Sequence, residues 1–175
     1  RKTTSLGITY SGTQEPKLLG YTDSDWAGNL DTRKSTSGYL FTLFSGAVSW
    51  KSTRQSIVAT SSTEAEYIAC SEAAKEALWL QRLLGEIQRT SPKTQTLYAD
   101  NQGAIKLSKN PLQHKLTKYI DIKYHFIHDC VQKGLIDLVY LPTNQMVADI
   151  LTKSLPWETH EFHVKGMGLE QLELV

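Results

Sequence analysis

The sequence predicts an α/β domain built on one mixed five-stranded sheet, three antiparallel strands followed by two parallel ones, with helices on both faces. Three observations predict it. The early chain holds three strand-like runs, the last two separated only by Ser45-Gly46, which is hairpin spacing. The later chain alternates strand-like and helical runs, and a helix between two strands implies a parallel crossover. The length of 175 residues, 40% hydrophobic and 21% charged, fits a single sizeable core.

Arg1 to Pro16 is polar apart from Leu6-Gly7-Ile8-Thr9-Tyr10, an edge strand or the tail of a preceding domain. The chain opens on Arg1 rather than Met, which reads as a piece of something longer. Residues 1–17 are therefore set apart as linker, 18–156 as the domain, and 157–175 as a C-terminal extension that packs as a last helix or frays. Leu18-Leu19-Gly20-Tyr21-Thr22-Asp23-Ser24-Asp25 begins apolar and ends in two carboxylates. As a strand it turns Leu19, Tyr21, Asp23 and Asp25 to one face. A polar connection through Arg33-Lys34-Ser35-Thr36-Ser37 leads to strands at Gly38–Phe44 and Ala47–Ser52.

Ser61-Ser62-Thr63-Glu64 has capping-box spacing. The helix it opens runs to Glu86-Ile87, with Ala69, Ala73, Leu80, Leu84 and Ile87 as its apolar stripe and Trp79 as core. Thr90-Ser91-Pro92 ends it. Thr96–Asp100 is a short strand with an acidic last residue, followed by Asn101-Gln102-Gly103 and a short helix, Ala104–Ser108, which Asn110-Pro111 breaks. Tyr119–Gln132 is a longer helix closed by Gly134. Ile136–Leu141 is the last strand. A final helix starts near Met146, carries Asp149 in its first turn and continues past Thr152.

The net charge of +1 removes any overall field that would demand an anionic partner. Local patches are another matter: Arg33, Lys34, Lys51 and Arg54 face only Asp31 between residues 31 and 54, and residues 106–133 are Lys-rich. Cys70 and Cys130 lack disulfide spacing and read as core thiols of a reducing, intracellular compartment. No apolar run reaches membrane-spanning length. His125/His128 and His160/His163 are spaced as pairs, but a zinc site needs about four ligands and the others are not evident, so no zinc is expected.

Asp23, Glu66, Asp100 and Asp149 each stand near the end of a different element, where sheets of this order collect their ligands. Four such acids suit two hard cations sharing oxygen ligands, which on either side of a phosphodiester can activate water and stabilise the leaving oxygen. Three of these acids also have a plainer reading: Glu66 and Asp149 at positive helix ends, Asp100 as an N-cap.

The phrases Tyr21-Thr22-Asp23-Ser24-Asp25-Trp26-Ala27-Gly28, Ser61-Ser62-Thr63-Glu64-Ala65-Glu66-Tyr67, Tyr98-Ala99-Asp100-Asn101-Gln102 and Val147-Ala148-Asp149-Ile150-Leu151-Thr152-Lys153 resemble the ribonuclease H domain of copia-type LTR retrotransposon polyproteins. Arg33-Lys34-Ser35-Thr36-Ser37-Gly38-Tyr39 and Ile120-Asp121-Ile122-Lys123-Tyr124-His125-Phe126-Ile127 are similar too, and the match runs from Gly20 to Pro156. The resemblance implies a ribonuclease H-like fold and an endonuclease that hydrolyses the RNA strand of RNA–DNA hybrids during reverse transcription, leaving 3′-hydroxyl and 5′-phosphate ends. It implies two Mg²⁺ ions, with Mn²⁺ as substitute, and Asp23, Glu66, Asp100 and Asp149 as catalytic metal ligands. It also implies a reverse transcriptase polymerase domain as partner in the polyprotein and a cytoplasmic virus-like particle as location.

Asp25 is one pleat beyond Asp23 and reads as a supporting or turn residue. Ser61 and Ser62 hold a phosphate at the helix start or merely cap it. Asn101 and Gln102 are placed to read a minor-groove edge or a 2′-hydroxyl. Arg33, Lys34, Lys51 and Arg54 are the residues expected to line the duplex backbone. The sequence departs from cellular ribonucleases H in having no His between Leu141 and Ala148, and from retrotransposon relatives at Leu116 and Tyr119, where Arg and His are commoner. Two competing readings are a non-catalytic or weakly active module that positions nucleic acid beside a polymerase, and an integrase-like strand-transfer enzyme on the same fold.

Overall fold

The computed structural model describes residues 5–13, 16–90, 93–109 and 118–172, with the backbone alone for 118–121. Five strands form the main sheet: β2 (Leu19–Asp25), β3 (Thr36–Leu43), β4 (Gly46–Arg54), β5 (Gln95–Ala99) and β6 (Ile136–Tyr140), in the order β4-β3-β2-β5-β6. β2, β3 and β4 pair antiparallel, whereas β5 runs parallel to β2 and β6 parallel to β5. This is the predicted mixed sheet. The meander follows from the tight turn at 44–45, where Phe44 and Ser45 take positive φ.

Helices α1 (Ser62–Gln88), α2 (Gln102–Lys109) and α3 (Lys118–Gln132) pack around one core. There the small residues Ala73, Ala74 and Ala77 of α1 let it lie close to Phe41, Leu97 and Leu138 of the sheet, with Ile127 and Cys130 of α3 closing the other side. Cys70 and Cys130 are both free and buried, as expected of core thiols. The opposite face is covered by a 3₁₀ segment, Val147–Leu151, and by α4 (Trp157–Gly166), over Leu40, Ala47, Val147 and Met167.

Three expectations need correction. The element carrying Asp149 is not an α-helix that continues past Thr152 but one 3₁₀ turn that stops at Leu151. Pro156 disfavours helical backbone at Leu155 just before it and serves instead as the N-cap of α4. Trp79 is exposed rather than core, because it projects from the side of α1 opposite Ala73, Ala77 and Leu80. Ile87 lies in phase with the buried stripe yet is 68% exposed, since α1 runs past the edge of the core before ending at Arg89.

The first and last described strands meet. β1 (Leu6–Ile8) pairs antiparallel with β7 (Leu169–Gln171) in a separate two-stranded ribbon, fastened to the sheet where the Ala47 N–H donates to the Met167 carbonyl at 2.9 Å. The extension from Trp157 is thus ordered through Leu172. The breaks expected at Ser91-Pro92 and Asn110-Pro111, and the departures at Leu116 and the Tyr119 side chain, lie outside the described residues.

Candidate active site

Four element ends meet at one place. β2 delivers Asp23, its parallel neighbour β5 is followed at once by Asp100, the first turns of α1 bring Glu66, and the 3₁₀ segment brings Asp149. Carboxylate oxygens of Asp23, Glu66 and Asp100 lie within 4.8 Å of one another. Asp149 is joined to this group by Lys153, whose ammonium lies 2.9 Å from Asp149 Oδ2 and 3.7 Å from Asp23 Oδ2.

Local sequence explains the convergence. Gln55 donates from Nε2 to the Ala65 carbonyl at 2.9 Å and to Ser37 Oγ at 2.8 Å, pinning the start of α1 to the sheet beside Glu66. Gly38 is in register opposite Asp23. A Cβ there would stand 2.7 Å from Thr152 Cγ2 and 3.0 Å from Leu151 Cβ, so its absence lets the 3₁₀ segment settle against the strand. Asn101, not Asp100, caps α2: its Oδ1 accepts from the Ala104 N–H at 2.9 Å. That leaves the Asp100 carboxylate to the site, where the Thr143 hydroxyl donates to its Oδ2 at 2.7 Å.

Each of the other acids has an orienting partner as well. The Thr152 hydroxyl donates to Asp23, and the Ser24 N–H donates to Glu66 Oε1 at 3.2 Å. Even so, Glu66 Oε2 and Asp149 Oδ1 are buried with no hydrogen-bond partner among the described residues. Buried carboxylate oxygens without partners are costly. Burial, then the charge of Asp149, pushes the Asp23 carboxyl above its ordinary range. Glu66 is pushed up more strongly, by burial and then by Asp23 and Asp100. Asp149 is also raised by burial, with Lys153 opposing. An all-oxygen set of crowded, buried carboxylates with two unpartnered oxygens fits hard divalent cations such as Mg²⁺ or Mn²⁺.

The remaining predicted residues are placed less centrally. Asp25 accepts from the Thr36 N–H and so braces the β2–β3 connection, and a Cβ on Gly28 would collide with its Oδ2. Ser61 is the N-cap of α1, its Oγ accepting from the Glu64 N–H at 3.1 Å, while Glu64 reaches back to the Thr60 N–H at 2.6 Å. Ser62 and Gln102 are exposed first residues of α1 and α2. Arg33 and Lys34 lie in the loop after β2, which closes on itself through Arg33 N–H to Asn29 O. Lys51 and Arg54, on the edge strand β4, line a separate cleft of about 240 Å³ with Tyr39, Glu72 and Lys123. Of the paired histidines, His128 Nδ1 is 3.0 Å from the Ser108 carbonyl and His160 stacks on Trp157.

Sequence reasoning missed Lys153, Thr152 and Thr143. Lys153 had a local signal, since it follows Asp149 at the i,i+4 spacing that favours an acid–base pair. Neither threonine had one, because their contacts span 129 and 43 residues.

No family model matches the chain. The retrovirus-related Pol polyprotein from transposon TNT 1-94 of Nicotiana tabacum is 44% identical over 169 residues, covering 97% of this chain and 13% of that protein. The corresponding polyprotein from transposon RE1 of Arabidopsis thaliana is 39% identical over 155 residues, 89% of this chain and 11% of that protein. The chain thus spans only a small part of the length of these two polyproteins. Among solved structures, LC11-RNase H1 in complex with an RNA/DNA hybrid superposes with a TM-score of 0.57, at 20% identity, over 78% of this chain and 94% of that one.

Proposed function

The chain belongs to the family of retrovirus-related Pol polyproteins from transposons and has the ribonuclease H fold, and from that premise we propose that it is an endonuclease hydrolysing the RNA strand of RNA–DNA hybrids during reverse transcription. The observation that carries this reading is the meeting of Asp23, Glu66 and Asp100 oxygens within 4.8 Å, three acids that are 43 and 34 residues apart in sequence, with Asp149 tied in through Lys153. Positioning nucleic acid alone requires no such cluster of buried, mutually repelling carboxylates.

Asp23, Glu66, Asp100 and Asp149 would hold a pair of divalent cations, which when bound supply electrostatic stabilisation of the attacking and leaving oxygens at phosphorus. The chain's own groups set the stage for that displacement. Thr152, Ser24 and Thr143 fix the carboxylates of Asp23, Glu66 and Asp100, so that little reorganisation remains to be done in the transition state. Water adds to phosphorus and the P–O3′ bond breaks, giving 3′-hydroxyl and 5′-phosphate ends. Gln102 and the amide of Asn101 flank Asp100, where a ribose 2′-hydroxyl would distinguish RNA from DNA. Ser61, Ser62, Arg33, Lys34, Lys51 and Arg54 are offered as contacts to the duplex backbone.

We assign the nuclease unit to residues 18–156, with the β1–β7 ribbon joining its two flanks. Its partner is the polymerase portion of the same polyprotein, within a cytoplasmic particle. No helix among the described residues is long and apolar enough to cross a membrane. The test compares labelled RNA–DNA hybrid, double-stranded DNA and single-stranded RNA with Mg²⁺ or Mn²⁺. Internal cuts confined to the RNA of the hybrid support the proposal. Hybrid left intact at high enzyme with either ion refutes it.

A further inference from the structure

We propose that Lys153 is a built-in counter-cation: its ammonium holds Asp23 and Asp149 together in the metal-free protein, is displaced from Asp23 when a divalent cation enters, and so sets how tightly the site loads. This rests on the reading of the four acids as metal ligands and adds to it what governs their occupancy.

The geometry is specific. Lys153 Nζ reaches two carboxylates at once, 2.9 Å from Asp149 Oδ2 and 3.7 Å from Asp23 Oδ2, and these two acids arrive on different elements. Among the described residues no other Lys or Arg forms an ion pair with any of the four acids. Without this ammonium, Asp23 and Asp149, each almost fully buried, would repel each other across the contact between β2 and the 3₁₀ segment. The ammonium is nevertheless an incomplete occupant. It leaves Glu66 Oε2 and Asp149 Oδ1 without partners, which a cation with several coordination positions would satisfy.

An exit is available too. The Lys153 side chain is 35% exposed, against 1% for Asp23 and 4% for Asp149, so its flexible stem spans from the cup to solvent and the head can withdraw along it. A divalent cation beside a fixed ammonium a few ångströms away is repelled by it, and this repulsion is removed only if the lysine moves or is replaced. Lys153 therefore acts through the acids it touches, as a positioning residue.

The experiment measures Mn²⁺ binding directly, by the electron paramagnetic resonance signal of free Mn²⁺, together with thermal unfolding of the metal-free protein, for wild type, Lys153→Met, Lys153→Gln and Lys153→Arg. Both neutral variants should unfold at lower temperature than wild type without metal, yet bind Mn²⁺ at least about tenfold more tightly. Lys153→Arg should stay close to wild type in both. A lysine with only a structural role would lower stability without tightening Mn²⁺ binding. Unchanged or weaker Mn²⁺ affinity in both neutral variants overturns the proposal, as does the absence of Mn²⁺ binding in every form. Failure of the catalytic reading is a separate result: Mn²⁺ binding that depends on Lys153 in a protein that leaves hybrid uncut.

Discussion

Gly38→Ala tests whether the placement of the fourth acid depends on close approach of the 3₁₀ segment to the strand that pairs with β2. The added Cβ would lie 2.7 Å from Thr152 Cγ2, 3.0 Å from Leu151 Cβ and 3.3 Å from the Ala148 carbonyl, where ordinary contact begins near 3.4 Å. The segment must retreat by roughly 0.7 Å or the strand must buckle, and either shift separates Thr152, Lys153 and Asp149 from Asp23. Overpacking of this kind costs about 1–3 kcal/mol of stability, roughly 3–10 °C in Tm for a chain of this size. The catalytic cost should be larger in proportion, about 10²-fold in kcat, because a misplacement near 1 Å disrupts a catalytic constellation. Gly46→Ala is the matched control: its Cβ would stand 2.6 Å from the Tyr10 ring and 2.7 Å from the Thr9 carbonyl, at the terminal ribbon instead of the acids. Circular dichroism melts and single-turnover cleavage of labelled hybrid read the two effects separately. Similar Tm losses, with kcat lost only in Gly38→Ala, support the reasoning. Gly38→Ala cutting at the wild-type rate refutes it.

Asp100→Asn should lower hybrid cleavage by at least about 10³-fold while leaving the melting curve and hybrid binding close to wild type; a variant that cuts normally removes Asp100 from the site. Asp23 and Glu66 have folded pKa values raised above their ordinary 3.8 and 4.5, so the unfolded chain ionises first and metal-free stability falls as pH rises from that range through the raised values. Glu66→Gln should remove at least about 1.4 kcal/mol of this decline, one pKa unit's worth, and saturating Mg²⁺ should flatten it in wild type; urea unfolding at pH 5 and pH 8.5 reads both, and a stability that rises over that window contradicts the assignment. Neutralising Lys51 or Arg54 should each reduce the salt slope of hybrid binding by about one unit, and a slope unchanged in both would take the β4 cleft off the nucleic-acid path. Ser61→Ala should cost about 1 kcal/mol through loss of the α1 cap, seen in the melt, and a further loss in hybrid affinity would show that Ser61 also meets phosphate.

Much of this fold was legible in the chain because its signals are local. The period-two runs, the Ser45-Gly46 turn, the Ser61 cap and the strand–helix alternation each specify structure within a few residues, and together they leave one mixed sheet. The acids were legible for a related reason: Asp23, Asp100 and Asp149 stand beside breaks in regular pattern, where a carboxylate has no packing role. What escaped depends on distant partners. The register of β1 with β7 joins residues more than 150 apart, and Thr152 meets Asp23 across 129. The 3₁₀ turn looked like the start of a helix because residues 146–155 hold neither Gly nor Pro to break one, and docking against Gly38 and the turn toward Pro156 cut it short. Trp79 shows the opposite failure, since an apolar residue in an apolar helix need not face the core.

The most direct measurement is anomalous diffraction at the manganese edge from crystals of the full chain soaked with Mn²⁺ and bound to an RNA–DNA hybrid. The account predicts manganese peaks among Asp23, Glu66, Asp100 and Asp149 with the RNA strand's phosphate against them. Peaks elsewhere on the protein, or a hybrid bound on another face with the four carboxylates unliganded, would contradict it.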